Sequence, residues 1–84
     1  MDTKLLEDLA ALAQTGSLSR AAALRHVTHP AFGRRIKQLE AWAGAALIER
    51  GRVPVALTAE GRKLLAEAEP LLRGLTRTRH ALRQ

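Results

Sequence analysis

Ser17-Leu18-Ser19-Arg20-Ala21-Ala22-Ala23-Leu24-Arg25-His26-Val27-Thr28-His29-Pro30-Ala31-Phe32-Gly33-Arg34-Arg35-Ile36-Lys37-Gln38-Leu39 is the stretch whose reading decides the fold. Ser17 and Ser19 both offer helix caps, and Ser19 can accept from the amides of the next turn. Ala21-Leu24 makes a short helix whose small side chains let another helix cross closely. His26-Val27-Thr28 ends it, because β-branched residues ahead of a nearby proline continue a helix poorly. Thr28 or His29 then caps a second helix. Pro30 is expected at its first position, where a missing amide hydrogen costs nothing. Phe32, Ile36 and Leu39, with Ala43 at the end, recur at helical spacing, while Arg34, Arg35, Lys37 and Gln38 fall on the other faces. A short helix, a turn of about three or four residues and a second helix make a helix-turn-helix.

Upstream, Leu5, Leu6, Leu9, Leu12 and Ala13 predict a helix over 3–15, with Gly16 as its stop. Downstream, Gly44 closes the basic helix. Ala46–Arg50 and Val55–Leu57 read as two short strands around Gly51-Arg52-Val53-Pro54, a β-hairpin with a basic tip. Thr58 caps a long last helix, and Glu60 suits the positive end of its dipole. Leu64, Leu65, Ala68, Leu71, Leu72, Leu75 and Leu82 give that helix a broad apolar face. Pro70 is expected to bend or weaken it, and Gly74 to soften it further. The expected fold is mainly α: a winged helix-turn-helix of three helices plus a two-stranded hairpin over 1–57, then a long linker helix over 58–84.

A chain of 84 residues makes one small domain, and burial of about 60–65% of its unfolded surface leaves the core marginal. It has no cysteine, so neither disulfides nor thiolate zinc can support it, and a partner chain is the support to expect. Apolar residues reach 46%, too many for a disordered basic tail. No apolar run is long enough to span a membrane, and Met1-Asp2-Thr3-Lys4 does not open a signal peptide. The sequence therefore reads as soluble and cytoplasmic.

The formal charge of +6 favours a polyanionic partner. Between Asp8 and Glu40 there is no acid, yet Arg20, Arg25, Arg34, Arg35 and Lys37 all lie there. A segment purged of acids is suited to approach phosphate. Arg50, Arg52, Arg62 and Lys63 form a second basic patch. Arg73, Arg77, Arg79 and Arg83 form a third, which a plain solvated face explains equally well. The acids at Asp2–Asp8 and Glu60–Glu69 fall near the starts of the first and last helices, where they suit the dipole.

Other chemistries find little support. His26 and His29 are three apart, but no carboxylate or thiol lies near them, so no metal is expected. Ser17 and Ser19 have a complete role as caps and no nearby acid, so no catalytic group and no cofactor are expected. Trp42 could stack on single-stranded nucleic acid, but with one Phe and no Tyr there is no stacking surface. It is expected to pack between the basic helix and the linker helix. A basic amphipathic helix lying on a membrane would leave the first 57 residues unexplained.

Gly16-Ser17-Leu18-Ser19-Arg20-Ala21-Ala22, then Val27 through Glu40, then Leu47-Ile48-Glu49-Arg50 and Val55-Ala56-Leu57-Thr58-Ala59-Glu60-Gly61, resemble the N-terminal domain of LysR-type transcriptional regulators in order and spacing. The resemblance covers essentially the whole chain. It implies a winged helix-turn-helix and a linker helix that pairs with a second chain. It also implies a larger effector-binding domain, absent here, which makes the chain read as a fragment. Ser17, Ser19, Thr28, Pro30, Ala31 and Arg34 fall on positions similar to those that face DNA in the family, Arg34 being the best match. Three residues depart from the pattern. His29 stands where Gln is common, which puts an adenine preference in doubt. Gly33 stands where Ser is common. Val53 takes a wing-tip position often held by Arg, with Arg52 one residue away.

The expected function is sequence-specific binding of double-stranded DNA, with residues 29–43 in the major groove and the wing, 50–54, at the minor groove. The candidate DNA-facing set is Ser17, Ser19, Arg20, Thr28, His29, Pro30, Ala31, Gly33, Arg34, Arg35, Lys37, Arg50 and Arg52, with Arg35 and Lys37 as phosphate partners. The alternative from another class is a helical module that binds an acidic protein. Leu65, Ala68, Leu72, Leu75 and Leu82 form a heptad-like seam for a homodimer, with Arg79 where an apolar member is missing. The resemblance implies antiparallel linker helices and hence an inverted-repeat operator. Any small-molecule effector would act only through the absent domain.

Overall fold

In a computed structural model that describes residues 1–84, α1 (Thr3–Thr15) opens at Asp2, whose carboxylate accepts from the Lys4 amide at 2.9 Å. It ends at Gly16, whose φ of 65° is the left-handed value glycine adopts without cost. Ser17 caps α2 (Leu18–Leu24) by accepting from the Arg20 amide at 3.1 Å. Ser19 therefore lies inside α2 and is exposed, rather than capping it. The helix starts three residues earlier than the Ala run suggested, because Ser17 supplies the cap first.

The turn after α2 closes with two backbone bonds. The His26 amide donates to the Ala23 carbonyl at 3.1 Å and the Val27 amide to the Ala22 carbonyl at 3.0 Å. His26 carries a φ of 60°. This is a Schellman motif in which a histidine takes the place usually given to glycine. Thr28, not His29, caps α3 (His29–Ala43), its hydroxyl accepting from the Ala31 amide at 3.2 Å. Pro30 sits in the first turn, one position later than expected.

Phe32, Ile36 and Leu39 are the buried stripe of α3, whereas Ala43 is exposed. With Leu6, Leu9, Leu12, Ala21, Ala22, Leu47, Ile48, Leu57 and Ala68 they make one core between α1, α2, α3 and the last helix. Full burial of a Leu, Ile or Phe stabilises by about 1.5–3 kcal/mol relative to exposure, so this cluster dominates the energetics.

β1 (Ile48–Glu49) pairs antiparallel with β2 (Ala56–Leu57), in register Ile48 to Leu57 and Glu49 to Ala56. The strands are two residues each, shorter than the apolar runs predicted, because Gly51, with φ 87°, and the exposed Arg52-Val53-Pro54 tip lie outside the ladder.

α4 (Ala59–Leu82) runs through Pro70 and Gly74 as a single helix. Its first turn is bonded to the root of the hairpin. The Thr58 hydroxyl accepts from the Gly61 amide at 3.0 Å and donates to the Ala46 carbonyl at 2.7 Å, and the Thr58 amide donates to the Leu47 carbonyl at 3.0 Å. A side chain at Gly61 would run into that same Leu47 carbonyl, so glycine is what lets helix and hairpin meet.

Two expectations fail here. Trp42 is not packed between α3 and α4: it is 57% exposed. It flanks an open groove with Leu64, Lys63 and Glu67 of α4. Phe32, Ile36 and Leu39 already fill the space against the core, and Trp42 falls on the next face of α3. Secondly, the apolar face of α4 divides. Ala68 is 2% exposed, and Leu64, Leu65 and Leu72 pack partly buried against the chain's own core. Leu71, Leu75 and Leu82 are 65%, 57% and 80% exposed.

Candidate nucleic-acid interface

The outward side of α3 follows from the burial of its stripe. With Phe32 and Ile36 turned inward, Thr28, His29, Pro30, Arg34 and Lys37 are exposed, and Ala31 and Gly33 half-buried. Arg34 forms no salt bridge. Apart from the helix's own backbone and Gly33's two neighbours, no atom lies within 4 Å of where a Cβ on Gly33 would stand, so the helix backbone is approachable there.

α2 presents Ser19 and Arg20 at the surface, and the half-buried Ser17 is held by its capping bond. The hairpin joins this surface, because the Val55 amide donates to the Gly16 carbonyl at 2.8 Å. Leu18 of α2 shares a shallow groove with Arg50, Arg52, Val53 and Val55. Gly16 is needed there twice: for its left-handed backbone, and because a Cβ would stand 3.0 Å from that of Pro54.

Charge is distributed differently from the sequence reading. Arg35, expected at phosphate, turns inward. Its Nε donates to Asp8 Oδ2 at 2.7 Å and its terminal nitrogen to Asp8 Oδ1 at 3.1 Å. Arg25 Nε donates to Asp8 Oδ1 at 2.8 Å, and Arg25 also pairs with Glu7 at 2.9 Å. Asp8 is 0% exposed. Instead of merely suiting the dipole of α1, its carboxylate joins α1, the end of α2 and α3. Partial burial opposes the charge on Arg25, but Asp8 and Glu7 outweigh it and raise its pKa.

Arg50 is also engaged, donating to Glu40 at 3.0 Å. The Leu47 amide donates to the same carboxylate at 2.8 Å, tying the end of α3 to the hairpin. Partial burial would raise the Glu40 pKa, but Arg50 and the Leu47 amide prevail and hold it below the ordinary carboxylate range. Arg52 at the tip pairs with the exposed Glu49 at 3.1 Å. Surface pairs of that kind are worth about 0–1 kcal/mol, so Arg52 can exchange its partner readily.

The sequence reading thus missed Asp8 and Glu40. Asp8 had a signal: it stands three after Leu5 and four before Leu12, an acid at a core-facing position of α1. Glu40 had none, because its partners lie seven and ten residues along the chain.

The surface combines a half-exposed helix start, free cations on one side and a basic hairpin tip beside it. These parts suit a duplex: α3 has the width of a major groove, and arginine at the tip suits a narrow minor groove. Nothing in the arrangement joins a nucleophile to a base, and no helix is long and apolar enough to cross a membrane.

Known proteins share this arrangement. Residues 3–62 match the model of the family described as bacterial regulatory helix-turn-helix protein, lysR family. The SDS degradation transcriptional activation protein of Pseudomonas sp. (strain ATCC 19151) is 40% identical over 83 residues, covering 99% of this chain and 27% of that protein. The HTH-type transcriptional regulator HdfR of Escherichia coli is 42% identical over 72 residues, covering 86% of this chain and 26% of that one. The chain thus spans about a quarter of the length of these regulators.

Among solved structures, Vibrio fischeri DarR in complex with DNA superposes with a TM-score of 0.91 at 38% identity, over 98% of this chain and 28% of that one. The BenM DNA-binding domain on its catB site 1 DNA superposes with a TM-score of 0.93 at 29% identity, over 99% of this chain and 93% of that one. The hairpin is accordingly a wing, α2 and α3 are a helix-turn-helix, and the chain belongs to the lysR family of bacterial regulatory helix-turn-helix proteins.

Proposed function

We propose that the chain binds double-stranded DNA sequence-specifically, as the DNA-binding part of a transcriptional regulator. The start of α3 enters the major groove and the Arg52 wing tip lies at the adjacent minor groove. One observation carries this reading: Arg34 stands exposed and unpaired on the outward face of α3, whose other side is locked into the core. Arg34 reads or grips DNA directly. Arg20 and Lys37 are exposed beside it and bind phosphate. Binding-site selection from a random duplex library tests this. It should return a motif whose affinity falls steeply with salt while its sequence preference persists at moderate salt. Recovery of no motif would overturn it.

The chain further acts as a homodimer through α4, on an inverted-repeat operator. Exposed Leu71, Leu75 and Leu82 support this, because four- and seven-residue steps place them on one stripe with Thr78 between. Ala68 is buried in the chain's own core and Leu72 packs partly buried against it, which favours Leu71 for the proposed seam. Sedimentation across micromolar to millimolar concentration should show dimer formation, and a strict monomer both free and on a two-half-site duplex would remove this claim.

A further inference from the structure

The cluster beneath the helix-turn-helix is over-built for a stabilising device. Asp8 is fully buried, yet it holds two guanidiniums, each about a quarter exposed, at 2.7–2.8 Å. Desolvating such ions costs several kcal/mol each, and well-packed apolar residues often stabilise as well or better. What an apolar replacement could not do is control where two arginines point. Arg35 is the immediate neighbour of Arg34 on α3 and lies two residues from Lys37. Released from Asp8, it would sit on the rim of the same surface as a long, flexible cation able to neutralise a phosphate of any sequence.

We infer that Asp8 is a positioning residue for recognition: as an internal counter-ion it withholds Arg35 from the DNA, so that contact by α3 rests on Arg34 and Lys37. The geometry suits that role. Arg35 is held through both Nε and a terminal nitrogen, the two-point grip that fixes a guanidinium's plane. Arg25 holds Asp8 Oδ1 from the end of α2 and is itself held by Glu7, so the carboxylate cannot swing outward with Arg35. The clamp thereby also fixes α3 relative to α2 across the turn. Withholding a charge from the interface is the reverse of what the basic composition suggests. It holds down binding to every sequence alike, because phosphate contacts carry no sequence information.

This inference rests on the DNA-binding reading of α3, and salt titrations test it. Binding of a random-sequence duplex and of the selected motif is measured against salt for wild type, Arg35→Gln, Asp8→Asn and the double variant Asp8→Asn/Arg35→Gln. Arg35→Gln, which leaves Asp8 paired with Arg25, should keep the wild-type salt slope. Asp8→Asn should steepen the slope on the random duplex by about one unit. At about 0.1 M salt this strengthens binding of the random duplex and of the motif alike, by about tenfold. The double variant, in which Arg35 is gone and Arg25 keeps its Glu7 partner, should return to the wild-type slope.

A merely structural Asp8 would lower the melting temperature in Asp8→Asn without moving the slope, which would overturn the inference. So would a slope about one unit shallower in Arg35→Gln, since Arg35 would then already be a phosphate ligand. That second arm can overturn the inference even if Asp8→Asn fails to fold. Failure of the wild-type chain to bind any duplex is a different result: it would remove the DNA reading itself, and this inference with it.

Discussion

Arg34 and Arg35 are adjacent in sequence and opposite in fate. Arg34 is exposed with no ion partner, and Arg35 is clamped to a buried carboxylate. Arg34→Ala should therefore weaken binding to the selected motif by roughly 1–3 kcal/mol, read by titration at fixed salt. Unchanged affinity would refute the docking of α3. Glu40 makes a second prediction. Its folded pKa lies below the unfolded value, so its contribution to stability is complete above the ordinary glutamate pKa and is lost as pH falls through the lower, folded pKa. Thermal melts from neutral pH down to that range should show wild type losing its advantage over Glu40→Gln; a constant difference would contradict the assignment. At this scale the sequence revealed residue type but not direction. The acid-free segment marked a basic surface correctly, yet no local pattern shows which arginine an acid 27 residues away takes inward.

At the scale of elements, the caps were the most legible part. Thr28 and Thr58 cap α3 and α4 through the hydroxyl bonds their positions imply, and Gly16 and Gly44 end α1 and α3 in left-handed backbone. Such signals are local, a side chain and an amide three residues apart, so they survive without tertiary knowledge. The α2–α3 turn was legible only as a break. That it is a Schellman turn built on a left-handed His26 depends on backbone bonds to Ala22 and Ala23. A non-glycine residue there carries a penalty of about 1–2 kcal/mol per left-handed position. His26→Gly should accordingly raise stability by up to about 1 kcal/mol after glycine's own entropy cost. Chemical denaturation measures this, and a loss of stability would mean that the imidazole makes a compensating interaction. Trp42 and Ala43 show the opposite limit: helical periodicity placed them near the core, but the α3 stripe was already full.

For the molecule as a whole, 45 × 24 × 20 Å, the elongation comes from the far half of α4, whose Leu75 and Leu82 have no cover of their own. Leu75→Asp should leave the chain's own core intact, because Leu75 is 57% exposed. It should convert a sedimenting dimer into a monomer that binds single half-sites weakly and without cooperativity. Leu72→Asp should instead lower the melting temperature, because Leu72 packs partly buried against the core. If Leu75→Asp remains dimeric, α4 is not the seam. The division of that apolar face between core and exterior was not legible, since both halves carry leucines at helical spacing, and the far half lies beside the start of α1, where the core runs out. The joint between α4 and the wing has a mechanical consequence. Thr58 bonds to both Ala46 and Leu47, the Arg62 guanidinium holds the Leu57 carbonyl at 2.9 Å, and Gly61 leaves no clearance against Leu47. There is no swivel between spacer and reader. α4 is keyed to the wing at its first turn, so a change of crossing angle that reaches this joint turns the wing with it. In a paired molecule that would appear as a change in the phase and bend of the DNA between the two half-sites.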